Sequence, residues 1–550
     1  MSAATGRGLH GTGLGLAAWI VLALAWFATA PFRPLFDPDE GRYAEIPREM
    51  LVSGDWVTPH LNDLKYFEKP PLQYWATAAT YEVAGFGQFT SRLWAFGLAF
   101  ACLPLLYAWV RRLYGDAAAL LAVAALAVSP YFVLVGHVNV LDQGLTFFLL
   151  GAVLAFTLAQ LSTPASAEER RWMLIAWAAA ALAVLSKGIV VGVLAGTSLL
   201  VYSLLERDAR LWRRLHLLLG VALFLLIAAP WFVLVTLRNP SFPAFFFVHE
   251  HFARFLTTVH QRVEPWWYFL VILAVGVLPW MAPLWRALRH GWPEERASAA
   301  AASAQPFKPL KFLVVFSAVT LAFFSASGSK LAPYILPILP PLAAVCAARA
   351  ADPGAFMRGA ARISAALIAI AGLGLLIYSG LHDGFLPRMA IIWTLCALAV
   401  AAAAVWLTWQ RPALVAGALA SALAGILGWQ FLMSAFATVA PTHTSRDLAD
   451  IMRPLLRPAT ALYSIGQYRE GLSPYLGRTL QLVAFRGELD FGQNEEPAKA
   501  MTLEQFVARW DAAADAVAFF DPGLWDEWRR RGLPGRVIAA DQHTVIVSRL

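Results

Sequence analysis

The 550-residue sequence predicts an all-α polytopic membrane bundle with a small α/β extramembrane domain at its C-terminus. Three observations carry this. Hydrophobic residues are 59% of the chain and mean hydropathy is +0.59. Thirteen apolar runs approach the roughly 20 residues that cross a hydrocarbon core as a helix. Beyond residue 435 the apolar runs stop, and strand-like and helix-like patterns alternate at ordinary soluble composition.

The runs lie near 14–31, 92–113, 117–136, 142–162, 172–186, 189–205, 215–237, 267–285, 312–327, 333–350, 361–380, 387–409 and 412–434. The first lacks a convincing small-residue cleavage site and leads straight into a polar loop, so it reads as a retained anchor. Residues 1–435 form the transmembrane domain, with outer loops 32–91 and 238–266, and residues 440–550 form the C-terminal domain. There, strands are expected at 460–465, 479–485, 516–520 and 536–548, and helices at 503–513 and 524–531.

Arginine places the cytoplasmic side. Arg111, Arg112, Arg170, Arg171, Arg207, Arg210, Arg213, Arg214, Arg286, Arg289, Arg349, Arg358 and Arg362 fall in alternate loops, which puts the N-terminus inside and everything after 435 outside. The net charge of +8 is mostly this topological arginine, and no nucleic-acid-binding motif competes with it. Cys102, Cys346 and Cys396 all sit in spans and read as packing residues. No internal repeat is evident, which weighs against an inverted-repeat transporter or lipid flippase, the alternative class of reading.

Only 14% of the chain is charged, against about 25% in an average soluble domain, yet residues 37–69 hold eight carboxylates and four cations. This first outer loop is where chemistry is expected. Asp37-Pro38-Asp39-Glu40 reads as a helix start: a capping Asp, Pro at the first position and Glu for a capping box. The helix should kink at Pro47, stop at Gly54 and lie on the membrane with Tyr43, Ile46, Met50 and Leu51 on one face. A second amphipathic helix is expected from Leu72 to Ala84, with Tyr74, Trp75 and Tyr81 at the headgroups. Segment 54–66 between them reads as a loop that is mobile when empty and orders when lipid phosphate binds, and the two helices as the rims of a lateral lipid opening.

The string DPDEGRYAEIPREMLVSGDWVTPHLNDLKYFEKPPLQYW resembles the first outer loop of bacterial lipid-linked-sugar glycosyltransferases related to protein O-mannosyltransferases, which are GT-C-type enzymes. RYAEIPREM and YFEKPPLQYW carry the resemblance, which comes nearest to the members that move 4-amino-4-deoxy-L-arabinose from undecaprenyl phosphate to lipid A. It implies a transferase in the bacterial inner membrane, monomeric among membrane lipids, with its active site and C-terminus periplasmic. It implies an effect on lipopolysaccharide charge and polymyxin resistance. Another lipid-linked sugar, or a protein acceptor, is the alternative within the family.

Displacement at an anomeric carbon, with a polyprenyl phosphate leaving, needs cations for the growing phosphate charge and a nucleophile held in line. By match to the family's acidic motif, Asp39 is the catalytic carboxylate, as base or as electrostatic stabiliser; the bland reading is a helix-capping residue. Lys69 is expected on the donor phosphate rather than snorkelling to headgroups. Lys187, between two short apolar runs, is costly there unless paired or lining a polar cavity, and phosphate binding is the reading. Arg254 offers a bidentate phosphate contact. Tyr43, Tyr66 and Tyr334 are expected on the donor, with interfacial packing as the alternative. Lys330 and Tyr334 sit in a Gly/Pro-broken stretch, SGSKLAPYILPILPP, assigned to the lipid substrate. Asp142 is expected to orient Lys69 or Arg254, or to start its helix, and Arg42 shares the orienting role. Glu68 with His249 or His251 would suit a divalent, zinc-like ion; the spacing is not HExxH, and interfacial histidines, His260 among them, are the alternative.

Overall fold

The computed structural model describes residues 14–253, 263–289, 307–382 and 386–549, without the side chains of 251–253 and 382. Every predicted apolar run falls on helix. The first eight helices are α1 (Leu16–Phe27), α2 (Asp39–Ser53), α3 (Leu72–Ala84), α4 (Gln88–Val128), α5 (Pro130–Gly136), α6 (Asp142–Leu161), α7 (Ala167–Lys187) and α8 (Val190–Glu206). Among the described residues, eight helices are long and apolar enough to span a membrane, and three shorter apolar helices accompany them.

Two predicted spans, 92–113 and 117–136, are cut differently in the structure. α4 runs through both, broken at Gly115, whose φ of 86° is accessible chiefly to glycine. It then stops at Ser129, which is extended because the ring of Pro130 disfavours helical backbone before it. α6 is buried on most of its surface between α4 and α7. The cysteines are free, as packing residues should be.

The first outer loop departs from its expected membrane-surface layout. α2 is not a surface helix: Glu40–Pro47, Glu49 and Met50 are all buried. The apolar stripe of Tyr43, Ile46 and Met50 shares one cluster with Leu448, Met452, Leu462 and Leu472 of the C-terminal domain. Full burial of each such side chain is worth about 1.5–3 kcal/mol relative to exposure to water. The helix continues unbroken through Pro47 and stops at Gly54, φ 71°. α3 has the expected bounds, but Tyr74 and Tyr81 are buried, and Tyr81 donates to Ser91 Oγ at 2.7 Å instead of meeting headgroups.

Segment 54–66 contains a short hairpin. His60–Leu61 (β1) pairs antiparallel with Leu64–Lys65 (β2) around Asn62 and Asp63, both with positive φ. Asn62 Nδ2 donates to the Leu480 carbonyl at 2.7 Å and its Oδ1 accepts from Leu480 N–H at 2.8 Å. These bonds fasten the loop to the C-terminal domain.

That domain is a five-stranded mixed sheet. β3 (Ala461–Ile465), β4 (Gln481–Val483), β5 (Ala516–Phe520), β6 (Arg536–Ala540) and β7 (Val545–Ser548) lie in the order β4-β3-β5-β7-β6. β3 is parallel to β4 and β5, while β7 is antiparallel to β5 and β6. The single expected strand 536–548 is this β6–β7 hairpin. Its helices start where the sequence signals: Thr502 with Gln505 makes a capping box, and Asp521 caps Pro522–Arg530.

Candidate active site

α2 is anchored from within. Arg92, on α4, grips Glu40 through two hydrogen bonds of 2.8 and 2.7 Å. Its remaining donors reach the carbonyls of Ala30, Arg33 and Pro34. Burial alone would raise the Glu40 carboxyl, but Arg92 and Arg33 bring it down to about 2, so it stays ionised. Glu40 also accepts from Phe36 N–H at 2.9 Å, which ties the chain before the helix to its first turn. Asp37 does not cap the helix. Its carboxylate turns to Ser445 and Arg469, and no side-chain cap is made at the α2 start.

With its first turn fixed, α2 presents Asp39, Arg42 and Tyr43 to a cavity of about 540 Å³. Glu68 and Lys69 enter from the chain after the hairpin, Asp142 from the first turn of α6, Lys187 from the last residue of α7, Glu250 from the helix Ala244–Ala253, and Tyr334 from Ala332–Ile338. The remaining wall is apolar: Ile189, Val190 and Val193 at the start of α8, with Phe323, Phe324 and Leu331. The cavity thus combines charged and apolar lining. No α3 residue lines it. Its apolar lining comes instead from α8 and the helix Pro309–Ala326.

The charges inside are paired. Asp39 is 45% exposed and lies 3.4 Å from Arg42 Nη1. Arg42 is 5% exposed and also meets Glu470, at 3.2 Å, and Glu488. Lys69 lies 3.9 Å from Glu68 and 3.5 Å from Glu250. Asp142 forms its ion pair with Lys187 rather than Lys69, while Arg254, the other partner the sequence suggested, lies outside the described residues. Asp142 starts α6 while Lys187 ends α7, so the helix termini bring them together. Lys187 Nζ also lies 4.5 Å above the Tyr334 ring.

Other candidates sit differently. Tyr66 is 2% exposed and is not a lining residue; its ring lies 6.0 Å from the Arg42 guanidinium. Tyr43 lines the cavity and stacks on Tyr74. Burial pushes both the Tyr43 and Tyr66 hydroxyls well above the ordinary tyrosine range, so they remain neutral donors. Lys330 is buried and donates to the Ser327 carbonyl at 2.7 Å. His249 stacks on Phe245, and its Nδ1 lies 3.4 Å from Glu250 rather than in the cavity wall. Among the described residues no three metal-ligating side chains converge. Arg254, His260 and the side chain of His251 lie outside the described residues.

Glu470 and Glu488, and the Glu40–Arg92 pair beneath, were not singled out from sequence. Their partners are distant along the chain: 428 residues separate Glu470 from Arg42. Burial raises Glu470 to about 7, against the pull of Arg42.

Known proteins share this architecture. The family described as dolichyl-phosphate-mannose-protein mannosyltransferase matches residues 15–246, and the aminoarabinose transferase C-terminal domain matches 448–549. A relative from Pseudomonas aeruginosa (strain LESB58), undecaprenyl phosphate-alpha-4-amino-4-deoxy-L-arabinose arabinosyl transferase, is 37% identical over 59% of this chain and 57% of its own length. The protein of the same name from Pectobacterium carotovorum subsp. carotovorum (strain PC1) is 34% identical over 60% of this chain and 57% of its own. The chain therefore spans a little over half the length of the curated relatives it matches. The crystal structure of ArnT from Cupriavidus metallidurans bound to undecaprenyl phosphate superimposes with a TM-score of 0.83 at 31% identity, covering 97% of this chain and 98% of that one. The apo form of that protein gives a TM-score of 0.82. With both family segments present and the ArnT architecture matched from end to end, this multi-pass membrane protein belongs to the ArnT family of GT-C glycosyltransferases.

Proposed function

We propose that the chain transfers 4-amino-4-deoxy-L-arabinose from undecaprenyl phosphate to a phosphate of lipid A, at the periplasmic face of the inner membrane. The observation that carries this is the mixed lining of the cavity, in which Asp39, Lys69 and Lys187 stand with Val190, Val193 and Phe324. A polyprenyl phosphate asks for both a cationic and an apolar surface. The match of 448–549 to an aminoarabinose transferase domain favours that sugar over a hexose.

The acceptor phosphate oxygen attacks the anomeric carbon, and the bond from that carbon to the donor phosphate breaks with its electron pair. Undecaprenyl phosphate leaves with one more negative charge than the diester it came from. Lys69 and Lys187 meet that charge where it grows, so each stabilises the transition state more than the bound donor. A phosphate nucleophile is already anionic, so Asp39 need not take a proton. Its carboxylate instead stabilises positive charge developing on the sugar ring. Held by Glu68 and Glu250, Lys69 does not reorganise as the charge forms.

The test is transfer by purified protein in lipid nanodiscs, with undecaprenyl phosphoryl-aminoarabinose as donor. Lipid A and a serine-rich peptide are offered in parallel, and products are read by mass spectrometry. Aminoarabinose on lipid A phosphate is the expected product. Sugar on the peptide, or on neither, would contradict the proposal.

A further inference from the structure

The C-terminal domain reaches the catalytic helix at two carboxylates. Glu470 Oε1 lies 3.2 Å from Arg42 Nη2, and Glu488 pairs with the same nitrogen. Arg42 in turn lies 3.4 Å from Asp39. The approach is close: a Cβ on Gly41 would stand 2.5 Å from Gly471 N, so only glycine fits against the residue after Glu470.

Glu488 is set by its own segment. Three residues on, Phe491 packs on Phe245 at 4.1 Å and on Phe67 at 5.6 Å between ring centroids. A Cβ on Gly492 would stand 2.7 Å from the Lys65 carbonyl, and Lys65 N–H donates to Glu496 at 3.0 Å. The segment therefore rests on the two stretches that carry Lys69 and Glu250 into the cavity.

We propose that Glu470 and Glu488 are positioning residues for sugar transfer: they fix the Arg42 guanidinium, and through it the Asp39 carboxylate, so the C-terminal domain completes the active site. The inference rests on the reading of Asp39 as catalytic. Without the two carboxylates, Arg42 has Asp39 as its remaining ion-pair partner in the structure. It would then close on Asp39 and neutralise it. The domain thus sets the charge of the site without touching substrate. Binding of the lipid tail, which the apolar lining of the cavity would take, should not change.

The full chain in nanodiscs is assayed as Glu488→Gln, Glu470→Gln and the double variant, each also combined with Arg42→Gln. Glu488→Gln and the double variant should lower kcat by about tenfold or more, with the donor KM within about twofold. Glu488→Asp should recover most of the loss. In the Arg42→Gln background, removing either carboxylate should cost little further, because the effect runs through Arg42. Losses that multiply, a change confined to KM, or an unchanged kcat would overturn the proposal.

A second readout does not depend on turnover. Amide exchange at residues 39–43 should accelerate in Glu488→Gln while β3 and β5 exchange as before. If the unsubstituted protein transferred no aminosugar, the activity reading would fall, and faster exchange at 39–43 would still support the coupling. Unchanged exchange there would overturn it.

Discussion

Arg92 and Glu40 are both fully buried and meet through two hydrogen bonds, of 2.8 and 2.7 Å, between a membrane helix and the helix that carries Asp39. This pair fixes where the active site begins. Removing Arg92 takes both charge-assisted hydrogen bonds from the buried Glu40 carboxylate and leaves it Arg33, at 3.8 Å, as its remaining cation. The cost approaches that of a broken buried pair, about 3–5 kcal/mol. Arg92→Met should therefore lower the melting temperature markedly in detergent and release α2 to proteolysis. Surface pairs such as Arg111–Asp116 should show no such effect when broken, since exposed pairs contribute about 0–1 kcal/mol. A melting temperature for Arg92→Met equal to that of the parent would remove the anchor role.

The hairpin turn offers a milder test. Asn62 has φ 55° and exchanges two hydrogen bonds with Leu480. Asn62→Ala loses both and leaves a non-glycine residue in left-handed backbone. Each lost buried bond costs about 1 kcal/mol. The expected result is faster amide exchange over 58–66 and 478–482, with the transmembrane helices unchanged. Equal exchange in both segments would separate the hairpin from the domain above it.

The cations divide by place. Lys69 is held by two carboxylates, and Lys187 by Asp142 and the Tyr334 ring. Lys69→Ala and Lys187→Ala should each lower kcat by about 10²-fold or more, the scale of one lost transition-state donor. Lys187→Ala also strands Asp142, so Asp142→Asn with Lys187→Ala should express better than Lys187→Ala alone. Rates at saturating donor check the first statement and membrane yields the second.

Much of this architecture is legible in sequence because it is local. The bounds of α3 follow from Pro70-Pro71 before it and Gly85 after it. The alternation in 460–548 marks the strands, Asp39 and Lys69 are picked out by the family's first-loop motif, and Lys187 stands out because a charge between two apolar runs is rare. What sequence does not give is pairing across distance. Arg92 looks like one more membrane-end arginine, and Glu470 and Glu488 look like solvated loop residues. Asp37 makes a good cap by pattern, yet its partners, Ser445 and Arg469, lie over 400 residues away. The burial of α2 was illegible for the same reason. An amphipathic helix buries its stripe equally well against lipid or a domain, and nothing local says which.

The Glu470 carboxyl gives a pH signature. Burial raises it from 4.5 to about 7, with Arg42, Asp37 and Glu488 as the charges that face it. Arg469, His443 and His543 line the same small cavity. Between these values the folded chain holds a proton that the unfolded chain has released. The group's stabilising contribution is therefore full below pH 4.5 and is lost as pH rises through about 7. Its grip on Arg42 develops over the same window. Turnover should rise through about pH 7, and Glu470→Gln should flatten that limb. A rate profile with the same limb in the variant would assign it to another group.

The most direct test of the central claim is a single turnover of Asp39→Asn beside the parent protein, following release of undecaprenyl phosphate and aminoarabinosyl lipid A together. The substitution is nearly isosteric and removes one charge from the cavity. The account predicts that the parent releases one undecaprenyl phosphate per sugar transferred. The variant should fold, bind donor with comparable affinity and transfer essentially none. Transfer by Asp39→Asn at the parent rate would contradict the assignment of the reaction to this cavity.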